Sequence, residues 1–308
     1  MGAVSHPQRE VIPYESLAQA MSLQSESKTI DDIDNVETLL GNTRFELMPF
    51  ESFDEEITHL PEGATIAITT SPQLGIDRTV EKTEMAVERG YEAVPHVAAR
   101  YVEDQEHLEE IARRLTEAGV TDIFVPGGDR EEPAGEFESA YDLLTALDRT
   151  EYEFEEVGIT GYPEGHAFLD DETLWESMAR KEPYATYIVT QLCYDPETVL
   201  EWISEVRDRG VDLPVAVGIP GVMKYKRLLE ISQKVGVGDS IQFLKKTTGI
   251  FGFIRQLIGS RGTYKPDKLI DGLAPYVPNE AYNIRGVHIY AFNQTADLES
   301  WRLERLER

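Results

Sequence analysis

Short apolar, β-branched runs recur along the chain, separated by longer stretches whose apolar residues fall at helical spacing. The runs cover residues 44–48, 65–69, 91–97, 122–125, 156–160, 186–193, 214–218 and 286–292. Few alternate cleanly between apolar and polar, which predicts strands covered on both faces. Helical patterns over 78–89, 105–118 and 196–209 each end at a glycine, Gly90, Gly119 and Gly210. A left-handed residue is wanted at that point, just past the last turn. Asp195 before Pro196 reads as an N-cap followed by proline at the first helical position. Upstream, Ile33, Val36, Leu39 and Leu40 share one helical face within 29–40, and residues 1–28 are a patternless, loosely ordered leader. The span 240–285 is longer than one helix requires. Ile250, Phe251, Phe253, Ile254, Leu257 and Ile258 suggest a helix there, and Pro275 and Pro278 a loop before the last strand. Eight strands alternating with helices predict an α/β fold, a single (β/α)8 TIM barrel over 29–308. A doubly wound open sheet is disfavoured, because no G-x-G-x-x-G follows an early strand.

Composition changes this picture in two ways. Asp and Glu number 57 against 29 Lys and Arg, a formal charge of −28 spread along the helices. Such a field repels nucleic acid and anionic membranes. It suits a halophilic surface, since the Debye length contracts to about 3 Å at 1 M salt and self-repulsion is screened. The lone cysteine, Cys193, excludes an intramolecular disulfide and a multi-cysteine zinc site, and its apolar strand marks it as an inert core residue. No run is long and apolar enough for a membrane helix and no signal pattern opens the chain, so a soluble, cytoplasmic protein is expected.

In a barrel the C-terminal strand ends converge on one site. Residues at those ends are Glu46, Thr69 and Thr70, His96, Gly127-Gly128-Asp129, the cluster Tyr162, Glu164 and His166, then Gln191, Pro220-Gly221 and Asn293. A carboxylate inside a strand is costly to bury unless it has a task or a partner, which makes Glu46 the general-acid candidate. Gly127-Gly128 would let backbone approach a ligand closely, or form an ordinary tight turn. His96 and His166 lack companion ligands at metal spacing, so hydrogen-bonding roles are expected and no metal. Tyr162 and Tyr225 could stack on a flat heterocycle or simply pack.

Six segments in order, RFELMPF, VPGGD, GYPEGH, VTQLCYD, PGVMKY and VHIYAFN, resemble the methylenetetrahydrofolate reductase family over nearly all of 44–308. The resemblance implies a barrel binding folate at the strand ends, with hydride passing from NAD(P)H, usually through FAD, to methylenetetrahydrofolate in the one-carbon supply of methionine biosynthesis. By motif, Glu46 matches the family's general acid and Asp129 its pterin- and flavin-facing aspartate. Gln191 matches the pterin-binding glutamine, and Tyr225 falls where a ring stacks on the substrate. Thr69 or Thr70, His96, Gly128, Ala140, Tyr162 and His166 fall at or near flavin-contacting positions, with Arg180 or Lys181 standing for the lysine of the next helix. Departures collect on the flavin side. Gly127 replaces an arginine, Ser139 a tyrosine, and the helix around Thr173 and Glu176 lacks the expected Asp and Asn. Weak FAD binding in a divergent branch is therefore expected. A folate-dependent demethylase and a non-catalytic folate- or flavin-binding protein are the alternatives, and self-association into a homo-oligomer is left open.

Overall fold

The structure, a computed structural model, describes residues 34–228, 230 and 262–307. The expected leader over 1–28 and the apolar run 250–258 lie outside them. The chain forms β1 (Arg44–Leu47), β2 (Thr65–Ile68), β3 (Glu92–Pro95), β4 (Asp122–Phe124), β5 (Glu156–Gly161), β6 (Tyr187–Thr190), β7 (Val215–Pro220) and, last, β10 (Ile284–Tyr290). These eight make one sheet in the order β3-β2-β1-β10-β7-β6-β5-β4, every pairing parallel. Its two ends meet through a parallel bridge between His96 and Phe124, where the Val97 N–H donates to the Phe124 carbonyl at 2.8 Å. The sheet thus curls into the (β/α)8 barrel that the strand count implied.

Helices follow the strands: α1 over 34–41, α2 (Phe53–Glu56), α3 (Gly75–Glu88), α4 (Gln105–Glu117), α5 (Ala140–Leu147), α6 (Asp171–Lys181), α7 (Pro196–Asp208), α8 (Asp267–Leu273) and α9 (Thr295–Leu306). Gly90, Gly119 and Gly210 do take φ of 86°, 89° and 82° past the ends of α3, α4 and α7. The Asp195 carboxylate accepts the Glu197 N–H at 3.0 Å, as an N-cap should. Several boundaries shift by a few residues, and three differences stand out. The last barrel strand stops at Tyr290 because Phe292 and Asn293 have φ of 48° and 53°, outside any strand. β6 leaves the ladder at Thr190, although Gln191 N–H still reaches the Gly161 carbonyl at 2.7 Å. The third is α8, for which the sequence raised no expectation, since the expected loop lay at Pro275 and Pro278; it is a seven-residue helix that buries Leu269, Ile270 and Leu273. A small antiparallel pair, β8 (Met223–Lys224) with β9 (Thr263–Tyr264), forms a separate sheet after β7.

Strand alternation sorts the barrel residues into two cores. Phe45, Leu47, Ile66 and Ile68 point outward and pack with Val80, Ile111, Leu115 and Ile203 of the helices. Ala67, Val94, Phe124, Tyr187, Val189 and Ala216 point inward and fill the barrel. Gly158 is required there, since a Cβ would lie 2.4 Å from the Tyr187 ring. Below that layer, at the N-terminal mouth, the Arg44 guanidinium donates to the Tyr187 hydroxyl at 2.7 Å and meets Asp122 at 2.7 Å and Glu156 at 2.9 Å. Arg285 joins Glu156 at 2.7 Å.

Candidate active site

The C-terminal strand ends open into a cavity of about 1400 Å³. It is lined by Glu46, Thr69, Thr70, His96, Gly128, Asp129, Ala140, Tyr162, His166, Arg180, Lys181 and Gln191. These candidates therefore meet in one place, while the strand-end residues Pro220, Gly221 and Asn293, and Tyr225, lie outside the lining. Tyr225 is buried beside Leu192, Tyr194 and Leu228, edge-on to Tyr264 at 5.9 Å between ring centres, outside that lining.

Glu46 stands at the floor. β1 is inward-facing at Arg44 and Glu46, so the strand that carries the basal guanidinium also carries this carboxyl one repeat higher. Its Oε2 lies 2.9 Å from Nε2 of His288 and 3.9 Å from Nε2 of His96. Burial pushes its pKa up to about 7, with His96 pulling it down. Burial likewise pushes His96 down to about 4 and His288 to about 3, so both imidazoles are neutral at pH 7. When Glu46 is ionised the His288 Nε2–H donates to it; when it is protonated, its hydroxyl donates to Nε2. Nε2 of His96 and Nδ1 of His288 are buried with no hydrogen-bond partner among the described residues.

One wall is the loop after β4. Gly128 has φ of 94°, and a Cβ there would stand 3.3 Å from the Tyr101 ring, so glycine suits both the backbone and the space. Asp129 Oδ1 accepts from the Tyr101 hydroxyl at 2.5 Å. Burial and Asp129 both raise the Tyr101 pKa, which keeps that donor protonated. Arg100 fastens the same loop, donating to the carbonyls of Arg130 at 2.7 Å, Glu138 at 2.9 Å and Glu131 at 2.5 Å. Ser139 forms a capping box with Asp142 and so starts α5 at Ala140.

The adjoining wall follows β5, the neighbour of β4 in the sheet. Tyr162 and His166 meet edge-on at 5.1 Å, and burial raises the Tyr162 pKa while lowering that of His166. Lys181 is buried, with its ammonium 3.3 Å from the Thr160 hydroxyl, and burial lowers its pKa to about 8. No carboxylate pairs with it among the described residues. The Arg180 guanidinium lies 3.9 Å from the centre of the Tyr141 ring. Thr69 and Thr70 help hold strand ends: the Thr70 hydroxyl donates to the His96 carbonyl at 2.6 Å, and the Thr69 carbonyl accepts from Thr79 at 2.9 Å. Gln191 folds its Oε1 onto the Leu192 N–H at 2.8 Å, which leaves the amide NH2 as its donor.

Sequence reasoning did not single out His288, Tyr290, Arg100 or Tyr101. The first two carried a signal. His288 and Tyr290 are two apart in an apolar strand, hence on one face, and the register sets Tyr290 beside Glu46. Arg100 and Tyr101 carried none, because their roles depend on how the β4 loop folds back. Cys193 is buried, as its apolar strand implied, with Sγ 3.4 Å from a Glu164 carboxylate oxygen.

Comparison with known proteins places the chain. Residues 54–248 match the methylenetetrahydrofolate reductase family profile. "Methylenetetrahydrofolate reductase 1" of Schizosaccharomyces pombe is 30% identical over 141 residues, covering 43% of this chain and 23% of that protein. "Probable methylenetetrahydrofolate reductase (NADPH)" of Caenorhabditis elegans is 25% identical over 205 residues, 59% of this chain and 30% of that protein. "Methylenetetrahydrofolate reductase (NADH) 1" of Arabidopsis thaliana is 28% identical over 113 residues, 32% of this chain and 18% of that protein. The matched segments thus cover less than a third of each relative's own length. With the family profile spanning more than half of it, the chain belongs to the methylenetetrahydrofolate reductase family.

Proposed function

We propose that this chain reduces 5,10-methylenetetrahydrofolate to 5-methyltetrahydrofolate, with NAD(P)H as hydride source and a loosely held FAD between them. The observation that carries this reading is Glu46, a largely desolvated carboxyl with pKa near 7 on the floor of the large cavity. A general acid works best with a pKa close to the operating pH. Opening the methylene bridge needs a proton at the departing amine nitrogen, and Glu46 is the group that supplies it. Asp129 lines the same cavity and stabilises the cationic carbon that results. The amide of Gln191 matches the amide-like edge of a pterin.

The lining fits a flavin nucleotide. Lys181 is a buried cation without a carboxylate partner among the described residues, the environment an anionic phosphate would complete. Gly128 leaves room for close approach, and Tyr162 and His166 offer rings for a flat heterocycle. When bound, FAD would supply a two-electron carrier of hydride. Its affinity is expected to be low. No arginine stands at Gly127, Arg180 is stacked on Tyr141, and Arg100 spends donors on its own loop. One lost charged hydrogen bond costs about 1.5–3 kcal/mol, roughly ten- to a hundredfold in affinity. The desolvated acid argues against a binding-only protein, for which a buried carboxyl is a cost without a return.

The test uses purified protein, methylenetetrahydrofolate and either NADH or NADPH, before and after dilution that strips flavin. Activity lost on dilution and restored by added FAD is the expected result. No methyltetrahydrofolate with either nucleotide at any FAD concentration would overturn the reading, and methyl transfer in place of reduction would favour the demethylase.

A further inference from the structure

We propose that Glu46, His96 and His288 together form a binding site for a divalent transition-metal ion of the zinc class, and that an ion held there blocks the cavity floor. The three residues come from β1, from just past β3 and from β10, and each offers one ligand atom within 4.8 Å of the other two. Oε2 of Glu46 is 2.9 Å from Nε2 of His288 and 3.9 Å from Nε2 of His96. Around one zinc-like ion, bonds of about 2.0–2.2 Å hold neighbouring donors roughly 3–4 Å apart, so small ring movements complete the set. Two imidazoles and one carboxylate suit zinc, cobalt or iron rather than magnesium or calcium.

The Glu46–His288 hydrogen bond by itself leaves one fact unexplained. His96 is 6% exposed, yet its Nε2 has no hydrogen-bond partner among the described residues and stands beside the Glu46 carboxylate. A buried polar atom in that position asks for a ligand. Burial keeps both imidazoles in the neutral, ligating form. Three protein donors leave further coordination positions facing the cavity. The affinity has a built-in limit, because Nδ1 of His288 also lacks a partner. Metal-bound histidine normally gives its second nitrogen to a carbonyl or carboxylate, and losing that support costs about ten- to a hundredfold. The site is therefore reversible, an inhibitory port rather than a structural centre, and it holds whether or not the chain reduces folate.

Cobalt(II) chloride alone is the probe, titrated into metal-free full-length protein in molar KCl with excess magnesium to mask surface carboxylates. The expected result is one equivalent bound with the visible absorption of a low-coordinate cobalt site, displaced by zinc. His96→Ala and His288→Ala should each weaken that site at least about tenfold, while His166→Ala leaves it unchanged. If His288→Ala does not fold, His96→Ala decides alone, since Nε2 of His96 has no hydrogen bond to lose. Cobalt binding and spectrum unchanged by His96→Ala, or no stoichiometric binding in the parent protein, overturns the proposal.

Discussion

The two mouths of the barrel bury carboxylates under opposite regimes. At the N-terminal mouth, Asp122 and Glu156 share Arg44 and Arg285. Burial pushes Asp122 up to about 6 with Arg44 pulling it back, so it is ionised at neutral pH. Burial also presses on Glu156, yet the two guanidiniums outweigh it and lower its pKa. At the C-terminal mouth, Glu46 faces two neutral imidazoles, and no arginine or lysine pairs with it among the described residues. Its pKa settles near 7, and the proton stays available. The same fold thus pairs its carboxylates with arginines at one end and leaves one without such a partner among the described residues at the other, the arrangement that shifts a pKa toward neutrality.

Replacing the acid is the strongest way to break the comparison. Glu46→Gln should keep fold and folate binding and lose turnover by about 10²- to 10⁴-fold, read by steady-state kinetics beside a circular dichroism melt. Near-normal turnover would remove Glu46 from the chemistry. At the other mouth the loss should fall on folding instead. Arg44→Met leaves Asp122 and Tyr187 without their cation and should cost about 3–5 kcal/mol of stability in denaturant titrations. The folded fraction should turn over normally; a shifted pH midpoint for turnover would mean that the two mouths are electrostatically joined.

A pH series sharpens the contrast. Turnover should fall about tenfold per unit above pH 7 as Glu46 loses its proton. Its folded pKa lies above the ordinary glutamate value of 4.5, so the native state binds the extra proton between pH 4.5 and about 7. Stability contributed by this group is therefore lost as pH rises through that window, and Glu46→Gln should remove that slope. The smallest effect is that of salt. Lowering KCl from molar to dilute should depress the melting temperature by unscreening a net charge of −28. The shift should be alike in wild type and Arg44→Met, because the Arg44–Asp122 pair is largely withdrawn from solvent; a salt-independent melt would refute the halophilic reading of the surface.

The repeating βα pattern was legible because each strand is a local apolar run and three of the helices end at glycines with φ above 80°. Glu46, Asp129 and Gln191 were legible because a barrel gathers its strand ends, so position in the pattern stood in for position in space. What escaped was long-range. His288 is 242 residues from its partner Glu46, and only the β1–β10 register joins them. The sequence reading gave His96 and His166 hydrogen-bonding roles and did not consider His288, whereas the structure sets His96 6.0 Å from the His288 ring. Helix α8 escaped for a local reason, since seven residues between prolines give too short a period to read.

The closing seam has one more consequence. β4 has only three residues, and its bridge to the first half of the sheet is the single pair His96 and Phe124. Beyond that bridge the junction continues through loops: Ala99 N–H to the Pro126 carbonyl at 3.0 Å and Arg100 N–H to the Gly127 carbonyl at 2.9 Å. The bonds that shut the barrel are therefore the bonds that present His96 and Asp129 to the cavity. Opening the seam would therefore displace His96 and Asp129 together, and with them one side of the cavity. Quality control of the fold then needs no separate check on the site, because any ligand that requires both walls tests the closure of the barrel each time it binds.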